Sequence, residues 1–203
     1  MGISIAGFLE VSRGDAWEFA GEMVPNPDHS YDADEPAVMP KPLFESDHRE
    51  LAAILAGVGN PIRSKEPFVP IAEARGLPPD PSPEVATWLG RWAADPAYAA
   101  SFAASWCTAR ELLEFDWTGR IMQRQAMVDG RVAHLFAGRR RGFPRSEWPK
   151  DVQVSYAVWK RDGVEVEWEE SYAEIVGDFY SAILPQLRLY GPPDDVRVVL
   201  SFD

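Results

Sequence analysis

The sequence predicts an α+β fold: a mainly antiparallel sheet built from N- and C-terminal hairpins, with helices packed on it. Three observations predict it. Apolar alternation at period two gathers toward the two ends of the chain. Helical periodicity with capping signals fills most of the middle. Strand-like runs are joined by short turns rather than by crossover helices.

The elements follow in order. In "ISIAGFLEVSRGDAWEFAGEMV", Ile3, Ile5, Leu9 and Val11 share one face and "SRGD" makes the turn of a hairpin. Five prolines between 25 and 45, with several acids, predict a loop. "ESDHRELAAILAG" reads as a helix capped by Ser46 and ended by Gly57 or Gly59. A second Pro-rich excursion covers about 60–81, apolar enough to lie on the core's surface. Ser82, Pro83 and Glu84 open a helix as N-cap, first-turn proline and first-turn acid. Thr108 with Glu111, and Ser171 with Glu174, form capping boxes for two more helices. Residues 119–150 read as two short strands around Asp129-Gly130, followed by the basic loop "GRRRGFPR". "VQVSYAVWK" and "VEVEWEE" flank "RDG" as a hairpin. Pro185 is expected to kink or end the helix after Ser171, and "VRVVLSF" is a buried last strand. A single domain over 1–203 is the expectation, with Pro-rich excursions at about 25–45 and 60–81.

Composition narrows the partners. The formal net charge is -12, which disfavours nucleic acid and anionic membrane and suits a small-molecule ligand or a basic protein. The lone cysteine, Cys107, allows no internal disulfide and suits a reducing cytoplasm. "MGISIAGFLEV" lacks a basic lead and carries Glu10 early, and Ala6 stands where a myristoylation motif wants Ser or Thr. Neither a leader nor a lipid anchor is expected, and no apolar run is long enough for a membrane span.

Several phrases carry a resemblance together: I-x-G-x-x-E at Ile5–Glu10, R-G-L-P at Arg75–Pro78, S-W-x-T-x-x-E-L at Ser105–Leu112 and V-R-V-V-x-x-F-D at Val196–Asp203. In this set the chain resembles a family of uncharacterised phage and bacterial proteins of about this length. The resemblance brings no established activity. It implies histidines where this chain has Ala6 and, just before "SWCT", Phe102, Ala103 and Ala104. It therefore implies that a polar or metal-binding patch is lost in "SFAAS".

The chemistry legible in the residues is sparse. His29, His48 and His134 are far apart and show no metal-ligand spacing, so no metal and no cofactor are expected. Cys107 precedes a helix N-cap, which lowers a thiol pKa, yet cysteine is also a common core residue. Glu165, Glu167 and Glu169 alternate on one strand face, either as a solvated face or as a source of carboxylates. Asp116 lies among aromatics, and Asp178 lies beside apolar helix positions. Either would serve as a general acid if enclosed. Cys107, Asp116, Glu169 and Asp178 are thus the catalytic candidates.

Ligand-binding candidates are Arg75, Trp106, Arg139, Arg141 and Trp159. Arg139, Arg140, Arg141 and Arg145 could clamp a phosphate or carboxylate, or pair with the acidic surface. Arg75, in a Pro/Gly turn, is either paired with a carboxylate or anchors a ligand. Trp88 and Trp92, four apart, share a helix face and are expected in the core. Trp168 follows Val166 inward on its strand, while Trp159 points to the opposite face of the hairpin. Two functions fit. The first is a module that binds a small molecule or protein, with sequestering or neutralising roles in phage–bacterial conflict. The second is a small-metabolite hydrolase or cyclase that uses carboxylate and Arg groups.

Overall fold

The computed structural model describes residues 3–32, 34–59, 66–94, 102–138, 141–152 and 163–203. It is an α+β chain with antiparallel pairing throughout its named sheets. The chain divides into two compact units, 1–60 with 69–115 and 178–203, and 61–68 with 116–177.

The first unit is organised by one sheet. β1 (Ile5–Arg13) turns back at Gly14-Asp15 into β2 (Ala16–Phe19), with Arg13 opposite Ala16. Gly14 has φ 68°, the left-handed conformation that a two-residue hairpin turn needs. The Pro-rich 25–45 stretch, expected to be a loop, contributes strands. β3 (Met23–Pro25) pairs with β4 (Val38–Pro40), and β5 (Phe44–Ser46) pairs with the start of β1. Gly7 permits that last contact, because a Cβ there would collide with the Phe44 ring. Prolines at 25 and 40 stand at strand ends, where a missing N–H is tolerated.

α1 (Arg49–Ala56) is capped by His48, whose Nδ1 accepts the Leu51 N–H at 3.3 Å, and ends at Gly57. The expected cap, Ser46, is instead held opposite Ile5 in β5. α2 (Pro83–Ala94) starts as the sequence predicts, with the Ser82 carbonyl accepting the Ala86 N–H and Pro83 in the first position. β6 (Ala103–Thr108) runs into α3 (Ala109–Glu114) through the complete Thr108/Glu111 capping box.

In the second unit, β7 (Ile121–Asp129) is one nine-residue strand rather than the first of two short ones. It pairs along its full length with β8 (Gly163–Ser171), and a 3-10 turn at Ala133–Phe136 follows Gly130. Of the expected 152–170 hairpin, the first strand lies outside the described residues from 153 onward; β8 is its second. Trp168 faces inward as expected, packed on Phe136 and Phe143 with ring centroids 5.4 Å away in each case. α4 (Tyr172–Val176) follows through the complete Ser171/Glu174 box.

Back in the first unit, a π-helical turn at Phe179–Ile183 leads to α5 (Leu184–Leu187) and then β9 (Val196–Phe202). The helical run breaks at Gly177, with φ 51° and ψ -111°, and not at Pro185, which occupies the first turn of α5. The π turn widens the ladder just before the residue that lacks an N–H.

β9 completes the sheet, lying between β1 and β6 in the order β2-β1-β9-β6. Its side chains divide between two covered faces. Ile5, Leu9, Val11, Val198, Leu200 and Cys107 are buried on one face, where the Cys107 thiol donates to the Leu55 carbonyl of α1. On the other, Phe8 and Val199 pack beneath Val85 and Leu89 of α2. Among the described residues, no helix is long and apolar enough to cross a membrane.

Candidate functional site

The α2-covered face of the sheet differs between its two ends. At one end, Glu10 on β1 lies directly opposite Arg197 on β9. The carboxylate is fully buried, and Arg197 Nε donates to it at 2.7 Å. The other carboxylate oxygen accepts the Ser82 N–H at 2.6 Å. The Arg197 guanidinium also donates to the side chain and carbonyl of Asp80, each at 2.8 Å, and lies 4.0 Å from the Trp17 ring. Arg197's hydrogen bond holds the Asp80 carboxyl below its ordinary value, outweighing the opposing effect of burial. Every strong polar group here has a partner, so this end is a structural pin that fixes the start of α2.

At the other end the sheet presents small residues. Ala6, Ser201 and Ala104 lie opposite one another across β1, β9 and β6. The volume that larger side chains would fill is a cavity of about 790 Å³. Its floor includes Ala6, Phe8 and Ser201. Trp88, Leu89 and Trp92 of α2 wall it, with Phe102 leading into β6. Glu45, Asp47 and Asp203 stand on the rim with the hydroxyls of Ser4 and Ser46. Ser4 donates to Asp47 at 2.9 Å.

Trp88 and Trp92, expected in the core, are half-buried and line this cavity instead. Their shared helix face was read correctly; the sheet beneath it is too thin in side chains to enclose them. Arg91, between them, places its guanidinium 3.8 Å from the Trp88 ring and 4.5 Å from the Trp92 ring. It pairs with Glu35 through Nη1, while Nε and Nη2 have no hydrogen-bond partner among the described residues. The indole π faces stand in for those acceptors.

The sequence candidates are placed elsewhere. Arg75 has its carboxylate: Nη1 and Nη2 donate to Glu111 at 3.0 and 2.5 Å, and the guanidinium lies 4.7 Å from the Trp106 ring. Burial raises the Glu111 pKa, but the bonds from Arg75 and Thr108 outweigh it and the net shift is downward. Arg75 and Trp106 therefore pin the Arg75–Pro78 turn to β6, helped by the Gly76 N–H donating to the Ala104 carbonyl at 3.1 Å.

Cys107 is completely buried, and burial pushes its thiol up to about 12, opposite to what a nucleophile needs. Asp116 is exposed and accepts the Gly119 N–H at 2.8 Å, so the apolar enclosure a general acid requires is absent. Asp178 is exposed as well. Arg139 and Trp159 lie outside the described residues.

Arg141 and Glu169 do meet. Their backbones form an isolated parallel bridge, and both residues line a cavity of about 320 Å³ with Ser171 and Glu174. Its carboxylates are engaged: Glu169 accepts from Gln123 at 2.6 Å, and Glu174 accepts the Ser171 N–H at 2.7 Å in the capping box. Among the described residues, no group of three His, Cys, Asp or Glu is placed to hold a metal ion.

The larger cavity is what sequence reasoning missed. Ala6 and Phe102, small and apolar positions in the phrases of β1 and β6, line it, but nothing local says that they meet across the sheet. Comparison of the chain with protein-family models, with curated proteins and with solved structures found no match in any of the three.

Proposed function

We propose that this chain is a small-molecule-binding module whose ligand enters the cavity between the small-residue end of the sheet and α2. The single observation that carries this reading is a concave volume of about 790 Å³ with two indole walls and an exposed polar rim. That size falls within the roughly 300–1,000 Å³ usual for ligand pockets. Among the described residues, Glu45, Asp47 and Asp203 are not paired with a histidine or a thiolate, and binding rather than turnover is the use proposed. The resemblance to phage and bacterial proteins adds sequestration of a metabolite in the cytoplasm as its setting.

Native mass spectrometry of the protein purified gently from its own host tests this reading. A retained small molecule is expected on the wild type and is expected to be lost from Ser201→Trp, which fills the cavity floor. Unchanged melting of that variant shows that the fold is kept. A bare wild-type chain, also bare after incubation with a host metabolite extract, contradicts it.

A second reading is an enzyme at the smaller cavity, favoured by Arg141, Glu169 and Glu174 lining one space. It predicts turnover that Glu169→Gln abolishes, screened with small carboxylate and phosphate esters.

A further inference from the structure

We infer that the larger cavity takes an organic cation, a protonated amine or ammonium group carried on a flat apolar body; this inference rests on the binding reading above. The walls supply the first argument. Trp88, Trp92 and Phe102 present aromatic surface, and an indole face attracts a cation through its quadrupole, most strongly where water is excluded.

Charge supplies the second. Glu45, Asp47 and Asp203 are the ionisable groups among the described lining residues, and no Lys, Arg or His is among them. Arg91 stands close by, but its charge is offset by its pairing with Glu35. The field across the opening is therefore negative, which concentrates cations and repels phosphates and carboxylates.

The same two indoles already hold a guanidinium, that of Arg91, which leaves two of its nitrogens on π surface rather than on oxygen acceptors. Their tolerance for a partly desolvated cation is thus built into α2. At the rim, the Ser46 hydroxyl can accept an N–H bond from an ammonium head, while Phe8 and Leu89 receive the apolar body. A phosphate-bearing ligand such as a nucleotide meets three acids and no cation among the described lining groups, which disfavours that class.

Isothermal titration calorimetry on the full chain tests this with three probes of matched shape: tryptamine, 3-propylindole and indole-3-propionate. They carry one positive charge, none and one negative charge at neutral pH. The expected order is tryptamine tightest, at least tenfold above 3-propylindole, with indole-3-propionate weakest. Added salt is expected to weaken tryptamine alone. The combined variant Glu45→Gln, Asp47→Asn, Asp203→Asn is expected to bind tryptamine about tenfold more weakly and 3-propylindole unchanged. If that variant melts early, Glu45→Gln and Asp203→Asn singly serve, each with a smaller loss in the same direction. Equal binding of tryptamine and 3-propylindole, or tighter binding of the anion, overturns the cation assignment and leaves the pocket standing. No binding of any probe overturns the assignment; the native mass spectrometry above then decides separately whether the pocket reading falls as well.

Discussion

The two ends of one sheet face solve the same packing problem in opposite ways. Beneath the start of α2, Glu10 and Arg197 put a charged pair into the interior and satisfy it from Ser82 and Asp80. Beneath the Trp88–Trp92 turns of the same helix, Ala6, Ser201 and Ala104 put almost nothing there. The cavity is therefore local to one end of the sheet. A loosely packed sheet would not maintain a buried ion pair with 2.6–2.8 Å contacts on the same strands. Rigidity at one end holds the helix in place, and α2 spans the open volume at the other.

The largest way to break this comparison is to remove half of the pin. Glu10→Ala leaves the buried Arg197 guanidinium with its Asp80 contacts alone and the Ser82 N–H without its acceptor, and a loss of about 3 kcal/mol is expected from denaturant unfolding. The paired change Glu10→Leu with Arg197→Met is expected to cost far less, because no charge is stranded. At the open end, Ser201→Leu places a side chain into empty space, and a change below about 1 kcal/mol is expected from the same measurement. Equal costs at both ends would erase the contrast.

An intermediate effect is expected at Arg75. Its pair with Glu111 is about one-third exposed on each side, so Arg75→Ala is expected to cost about 1 kcal/mol and to leave cavity binding unchanged. The pH dependence has a defined sign. Glu111 has a lowered pKa in the folded chain, so its contribution is present above the ordinary carboxylate pKa and is lost as pH falls through the depressed value. Thermal melting across the acid range is expected to show that slope in the wild type and less of it in Arg75→Ala.

Cys107 sharpens the other face of the sheet. Its thiol, raised to about 12, is expected to resist a disulfide reagent at pH 8 in the native protein and to react at once on unfolding. Rapid reaction of the native chain would show that face to be open. Smallest of all are Asp116→Asn and Asp178→Asn, exposed changes expected to stay within about 0.5 kcal/mol and to leave probe binding unaltered.

What could be read from the sequence followed local physics. Thr108 with Glu111 and Ser171 with Glu174 are capping boxes because the partners are three residues apart, and both formed. The Gly14 turn, Pro83 at the helix start and the inward Trp168 are likewise near-neighbour effects. Long-range pairing was not legible. Nothing near Glu10 announces Arg197, since the contact depends on β9 inserting between β1 and β6. The same insertion sets Ala6 opposite Ser201 in the cavity floor. Arg75 was recognised as needing either a carboxylate or a ligand, and only the fold could supply Glu111. Glu10, Arg75, Trp106, Glu111 and Arg197 are the pins of the scaffold. The site they hold is built from residues that looked unremarkable one at a time.

The most direct test of the account follows the tryptophan side-chain N–H signals by NMR during a titration with tryptamine. The account predicts that the Trp88 and Trp92 signals move and saturate together, while Trp17, against Arg197 at the pinned end, stays fixed. Movement of Trp17 with Trp88 and Trp92 unchanged, or no movement of any indole signal, would contradict it.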